Sequence, residues 1–140
     1  NHGVDRVDLM AHSMGGIVVR AYLGGLDVPF EGRVVMLSPP NQGSEIIDAF
    51  GDSPLLGAVL GPAGSRLGIV AGSRGGTFLG SRLIPGPDDG TVGVSQTWVE
   101  GTDDFLVVPA THTFIMNRRD VADATIHFLR RGRFPPPPSD

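Results

Sequence analysis

The sequence predicts an α/β fold, a mostly parallel sheet flanked by helices, and three observations carry that reading. Residues 33–38 (RVVMLS) and 67–71 (LGIVA) are short, continuous apolar runs, the pattern of strands covered on both faces. Segments with helical spacing of apolar residues alternate with these runs. The connections are loop-rich, because Gly 21 and Pro 12 occupy an unusual share of the 140 residues.

Composition narrows the function classes. At 40% hydrophobic and 19% charged residues the chain is one globular domain or a piece of a larger one. Lys+Arg 11 against Asp+Glu 15, a net charge of −4, leaves no cationic excess to neutralise phosphates, so general nucleic-acid binding is disfavoured. Cys 0 excludes disulfides, thiolate metal sites and a cysteine nucleophile. No apolar run approaches the roughly 20 residues that span a bilayer. A soluble protein is expected, with the cytoplasm slightly favoured, although the missing cysteines identify no compartment.

The elements follow in order. Val7, Leu9 and Ala11 alternate with Asp8 and Met10, predicting a strand over residues 6–11. Ile17, Val18, Ala21 and Tyr22 recur at helical spacing until Gly24-Gly25, predicting a helix over 14–23. Residues 33–38 form the second strand, stopped by Pro39-Pro40. Residues 41–65 read as loop, with short helical turns over 44–50 and 54–60. Residues 67–71 are the third strand, followed by a long connection, 72–90, that ends in PGPDDG and cannot continue a helix or a central strand. Residues 97–100 and 105–108 are both candidates for extended structure. The last helix starts near Asn117: Val121, Ala124, Phe128 and Leu129 make its stripe, and Asn117 with Asp120 resembles a cap. Arg130 and Arg131 suit its carboxyl-end dipole, and Gly132 stops it. Residues 1–134 therefore read as domain and 135–140 as an exposed Pro-rich tail.

Ligands of open α/β sheets bind at the carboxyl ends of the strands. The first strand ends in Ala11-His12-Ser13-Met14-Gly15 and runs directly into a helix. A serine on such a sharp turn has a strained backbone and a hydroxyl lifted above the sheet, the setting of a nucleophile elbow. The positions two before and two after must be small, and Ala11 and Gly15 are. The Met14 amide, at the start of the helix, is placed to stabilise an oxyanion.

Ser13 needs a base, and there are four histidines. His2 sits at the start of the chain, His12 points away from its neighbour Ser13 and packs or hydrogen-bonds locally, and His127 falls off the stripe of the last helix. His112, on the turn between residues 105–108 and the last helix, remains. A carboxylate must fix its tautomer. Asp88 and Asp89 follow the third strand, and Asp89 is preferred with Asp88 the alternative; Asp103 and Asp104, close before His112, read as a solvated turn.

At these residues the chain resembles the α/β-hydrolase superfamily, and within it bacterial esterase/lipase-type serine hydrolases. The matching segments are VDLMAHSMGGIVVRAYL (7–23), VVMLSPPNQGSE (34–45), IPGPDDGTVGV (84–94) and VVPATHTFIMN (107–117). The resemblance implies Ser13 as nucleophile, Met14 as one oxyanion donor, His112 as base and Asp89 as acid. In these families the acid is followed three residues later by Val; Asp89 with Val92 fits, and Asp88 with Thr91 does not. The family also places several strands and a His-Gly oxyanion loop before the elbow, which His2-Gly3 is too close to supply. The chain is thus expected to be the carboxyl-terminal portion of a longer hydrolase, lacking the amino-terminal strands, and by itself inactive and prone to associate through an open sheet edge.

The implied function is hydrolysis of carboxylic esters, of small molecules or lipids, through an acyl-serine. No metal or organic cofactor is expected, since no HExxH, phosphate loop or dinucleotide fingerprint is present. The apolar run LLGAVL (55–60) suits a lid or acyl pocket and ordinary core packing equally. Two alternatives share the fold: a non-catalytic binding protein, and an acyltransferase using the same three residues.

Overall fold

The computed structural model describes residues 3, 5–25, 30–42, 66–75 and 84–136. Side chains alternate across β2 (Arg33–Leu37), and that alternation sets the layers. Val34 and Met36 join Leu23, Leu67 and Ile69 on one face; Val35 and Leu37 join Val70, Val121, Ala124 and Phe128 on the other. None of these four β2 residues is more than 2% exposed, which is why the strand reads as an unbroken apolar run.

Among the described residues one sheet forms, in the order β1-β2-β3-β4, from β1 (Leu9–His12), β2, β3 (Arg66–Gly72) and β4 (Thr102–Val108). All three pairings are parallel. Helix α1 (Met14–Gly24) leaves β1 directly and contributes Leu23 to one layer, while α3 (Arg119–Arg131) covers the opposite face. A four-residue helix, α2 (Val94–Thr97), and a 3-10 turn (Ile115–Asn117) lie in the connections. The chain is an α/β protein with an all-parallel sheet. Within β3, Gly68 is required by packing: a Cβ there would stand 2.7 Å from the Phe128 ring and 2.9 Å from that of Phe134.

The carboxyl ends of the strands form one rim with a repeated device. Just past β1, β2 and β3 stand Ser13, Ser38 and Ser73, whose N–H groups donate to Leu37 O (2.9 Å), Val70 O (2.8 Å) and Val108 O (3.0 Å) of the next strand. Each serine is therefore still held by the sheet while the chain beyond it turns away.

Several sequence expectations change. β1 starts at Leu9 rather than Arg6, because the Asp8 carboxylate takes the Arg33 N–H (2.8 Å) where a ladder bond would form. Residues 97–100 form no strand: Thr97 closes α2, its hydroxyl donating to Val94 O at 2.7 Å, with the extended Trp98 as its C-cap, and residues 105–108 belong to β4. Asn117 does not cap the last helix but ends the 3-10 turn. Arg118 is the N-cap, without a side-chain cap bond, and Asp120 pairs with Arg118 (2.6 Å) while accepting the Val121 N–H. Asp103 and Asp104 are not a solvated turn. Both lie on β4, where Asp103 is the extra residue of a bulge opposite Leu67/Gly68 and accepts the Leu67 N–H (2.7 Å). Asp104 accepts the Phe134 N–H at 2.7 Å and so fixes the chain after α3. That helix ends as anticipated at Gly132, with φ 74 and its N–H on Phe128 O (2.7 Å). The expected turns over 44–50 and 54–60, the LLGAVL run, His2 and residues 137–140 lie outside the described residues.

Candidate active site

Ser13 occupies the N-cap position of α1 with φ 53 and ψ −127. Among the described residues only Ser13 and Ser38 (φ 45) are non-glycines with positive φ. A serine at an N-cap ordinarily turns its hydroxyl onto the helix's own N–H groups. Here it makes no such bond, and Oγ instead lies 2.8 Å from His112 Nε2. Positive φ points the side chain out of the strand direction and towards the rim. The tight packing of the elbow is at Gly16, where a Cβ would stand 2.8 Å from Pro39 Cβ. At Gly15 it would meet Ala11 Cβ at 3.5 Å, an ordinary contact, so the glycine this turn cannot replace is Gly16 rather than Gly15. Met14 opens the helix, and its N–H, like those of any first turn, has no acceptor within the helix.

The acid loop folds on itself. Val94 N–H donates to Pro87 O (2.9 Å) and Asp89 N–H to Val92 O (3.1 Å), with Gly90 at φ 100 making the reversal. This turn separates the two adjacent carboxylates. Asp88 Oδ1 accepts the Gly90 N–H (2.7 Å) and closes the turn, whereas Asp89 Oδ2 lies 2.8 Å from His112 Nδ1. Asp89 Oδ1 accepts the N–H groups of Thr91 (3.0 Å) and Val92 (2.8 Å), which is what the three-residue spacing from Asp89 to Val92 accomplishes. The base loop is tied to the acid loop by its backbone, His112 N–H donating to Asp89 O at 2.8 Å.

Ser13, Asp89 and His112, the residues selected from the sequence, thus form one continuous hydrogen-bond chain; Asp88 stands beside it in a different role. The Asp89 side chain has no exposed surface and that of His112 is 12% exposed. Burial by itself pushes the Asp89 carboxyl up. Hydrogen bonds from His112, Ser38 and the Val92 N–H, together with the His112 charge, outweigh it and hold the carboxyl below its usual range. An ionised carboxylate only accepts, so Nδ1 of His112 carries the proton towards Asp89 and Nε2 is left to accept from the Ser13 hydroxyl. That tautomer is the one that can take a serine proton.

Three participants were not legible as such. His12 does not bond locally: its Nε2–H donates to the His112 carbonyl at 3.0 Å, and the two rings are 4.9 Å apart. Burial and the neighbouring His112 push the His12 pKa down, against the raising effects of that carbonyl and of Asp89, so the ring is neutral near pH 7. Gly72 gives the acid its room, since a Cβ there would stand 2.7 Å from Asp89 Cβ and 2.6 Å from Ala110 O. Ser38 is fully buried beside Gly72, whose N–H its Oγ accepts at 3.3 Å. Behind the rim, buried Arg20 of α1 donates to Asn41 O (2.8 Å) and Asn41 Nδ2 donates to Thr97 O (2.7 Å), joining the elbow helix to the loop after β2 and to α2. His127 lies apart from all of these, half-buried on α3.

Among the described residues no group of three His, Asp or Glu side chains could hold a metal ion, and no helix is long and apolar enough to cross a membrane. No protein-family model, curated protein or solved structure matches the chain. Geometry and chemistry are therefore what bear on its activity.

Proposed function

We propose that the chain carries the catalytic residues of a carboxylic-ester hydrolase, built on part of an α/β-hydrolase fold. The observation that carries this reading is the relay of two 2.8 Å contacts, Ser13 Oγ to His112 Nε2 and His112 Nδ1 to Asp89 Oδ2. Residues 13, 89 and 112 are far apart in sequence, and their polar tips converge at the rim where such sheets bind ligands. The local sacrifices support it further. An unmade N-cap bond forgoes about 1 kcal/mol, and a non-glycine at this φ carries strain of order 1–3 kcal/mol. Both fall on the single residue whose hydroxyl faces an imidazole.

The reaction follows from the tautomer. Ser13 Oγ attacks the ester carbonyl carbon while its proton passes to His112 Nε2, and the imidazolium so formed is stabilised by ionised Asp89. The Met14 N–H faces the developing oxyanion, an interaction worth on the order of 3 kcal/mol per donor. Collapse breaks the carbon–oxygen bond to the alcohol, which leaves with the proton from Nε2. Water then adds to acyl-Ser13, giving its proton to Nε2, and the second collapse returns that proton to Ser13 Oγ as the carboxylic acid departs. Met14, next to Ser13, and Phe114, two residues past His112, are large exposed apolar side chains, 44% and 63% accessible.

A fluorophosphonate probe tests the reading directly. The full-length protein should label at Ser13, and its Ser13→Ala variant, folded by circular dichroism, should neither label nor hydrolyse p-nitrophenyl acetate, a loss on the order of 10^6-fold in kcat. Equal labelling of both proteins would remove Ser13 from this role.

A further inference from the structure

We propose that Ser38 is a positioning residue of this site, its hydroxyl holding the Asp89 carboxylate in the orientation that His112 needs. The inference deepens the ester-hydrolase reading and rests on it. Ser38 lies one residue past β2 with φ 45, is 0% exposed, and is the second of the two described non-glycine residues with positive φ. Its backbone N–H is spent on Val70 O at 2.8 Å. Its Oγ accepts the Gly72 N–H at 3.3 Å. A hydroxyl has one proton to donate and two lone pairs, so after accepting from Gly72 it still has a donor to place, in a site without water exposure.

The neighbouring acceptor is Asp89. Gly72 is packed so closely beneath that residue that a methyl group would stand 2.7 Å from Asp89 Cβ. The Ser38 hydroxyl, anchored on the Gly72 N–H, is directed at that carboxylate, and a contribution from Ser38 is among the causes that lower the Asp89 carboxyl below its usual range. The two oxygens of the carboxylate already receive Thr91, Val92 and His112. Ser38 adds the one donor that comes from the sheet rather than from the acid and base loops, and so fixes the carboxylate against the rigid part of the fold. The backbone points the same way. A positive φ is unfavourable for serine and would suit glycine or asparagine better, yet glycine lacks the hydroxyl and asparagine is too large for a site with no exposed surface.

Two substitutions separate a hydroxyl role from a backbone role. Ser38→Gly relieves the positive φ and keeps the fold, whereas Ser38→Ala keeps the Cβ; both remove the hydroxyl. The groups facing His112 are Asp89, His12 and the Ser13 hydroxyl, all retained in both variants. A change in its titration therefore reports on Asp89. With one donor fewer, Asp89 concentrates more charge towards His112 and stabilises the imidazolium. The ring resonances of His112, followed by NMR in labelled protein, should then titrate at a higher pH in both variants than in the wild type. Turnover of p-nitrophenyl acetate should fall about tenfold in kcat with KM within about twofold, and the acid limb of kcat/KM should move with the NMR midpoint. A Ser38→Gly variant with the wild-type midpoint and wild-type kcat would overturn the proposal. The NMR titration needs no turnover, so it decides the role of Ser38 even if the protein were to hydrolyse no ester, an outcome that would instead count against the proposed function.

Discussion

Helices α1 and α3 flank the same sheet on opposite faces and are built by opposite rules. α3 follows local preferences at nearly every position: Val121, Ala124 and Phe128 are buried in one stripe, Arg130 and Arg131 occupy the last turn, and Gly132 ends it in the left-handed conformation. α1 breaks them where it begins. Its N-cap serine does not cap, its first turn holds Gly15 and Gly16 and no acidic residue, and the strain lies at its first joint with the sheet. The difference teaches that α3 holds the layers together, whereas α1 gives up a cap bond and accepts a positive φ so that the Ser13 hydroxyl turns to His112 at the rim. If so, substitutions near the start of α1 should change chemistry more than stability, and those in α3 the reverse.

After the loss of the Ser13 hydroxyl itself, the largest effect is expected at Asp89, on the chemical side of that division. Asp89→Asn keeps an acceptor for Thr91 and Val92 but presents an amide to His112 Nδ1, which favours the wrong tautomer. The expected loss is about 10^4-fold in kcat, measured as steady-state ester hydrolysis. The same variant has a pH signature. Because the folded pKa of Asp89 is depressed, its ionisation contributes stability in full above the unfolded value of about 3.9. That contribution is lost as pH falls through the lower folded value. The stability difference between wild type and Asp89→Asn in urea unfolding should thus shift against the wild type as pH falls below about 4. A difference independent of pH down to 3 would mean that Asp89 is not preferentially ionised in the folded protein.

Next in size is Phe128, on the structural side. Its ring is fully buried, stacks at 5.0 Å and 40° on Phe134, and rests on Gly68 of β3. Phe128→Ala removes those contacts and leaves a cavity between α3 and the sheet, for an expected cost of about 3–5 kcal/mol. Fluorophosphonate labelling of the fraction that remains folded should be close to that of the wild type. Unfolding in urea checks the first statement and probe stoichiometry the second. Abolished labelling with intact stability would invert the proposed division between the helices.

The two regions also differ in how legible they were. The stripe and the stop of α3 are legible in the sequence, because an apolar stripe and a glycine stop are local signals; its start is not, since Asn117 ends the preceding 3-10 turn and Arg118 is the N-cap. The strands at 33–38 and 67–71, buried on both faces, were legible for the same reason. At the site, Ser13, Asp89 and His112 could be chosen from their positions after strands and before helices, since the rim is where the connections of an α/β fold converge. The rest was hidden because it depends on approach in space. Nothing near Ser38 in the sequence refers to Asp89, and nothing near His12 refers to the carbonyl of His112, a hundred positions away. Asp103 was misread because its carboxylate replaces a ladder acceptor for Leu67, a role created by a bulge that composition does not announce.

The smallest effect is also the sharpest separation of chemistry from stability, and it concerns Ser13 itself. Ser13→Gly deletes the nucleophile, so labelling and turnover should vanish as they do in Ser13→Ala. The two variants should part on stability. Alanine inherits the positive φ with its Cβ still in place, whereas glycine accepts φ 53 without strain. Against that relief stand the greater freedom of glycine in the unfolded chain, about 0.4–1 kcal/mol, and the lost bond to His112, about 1 kcal/mol. The bond is missing in both variants and cancels when they are compared. Strain of order 1–3 kcal/mol then exceeds the entropy term, and Ser13→Gly should unfold at a higher temperature than Ser13→Ala by about 2–4 °C. Calorimetry of the two decides it. If alanine were the more stable, the first joint of α1 would carry no strain, and the contrast with α3 would reduce to composition alone.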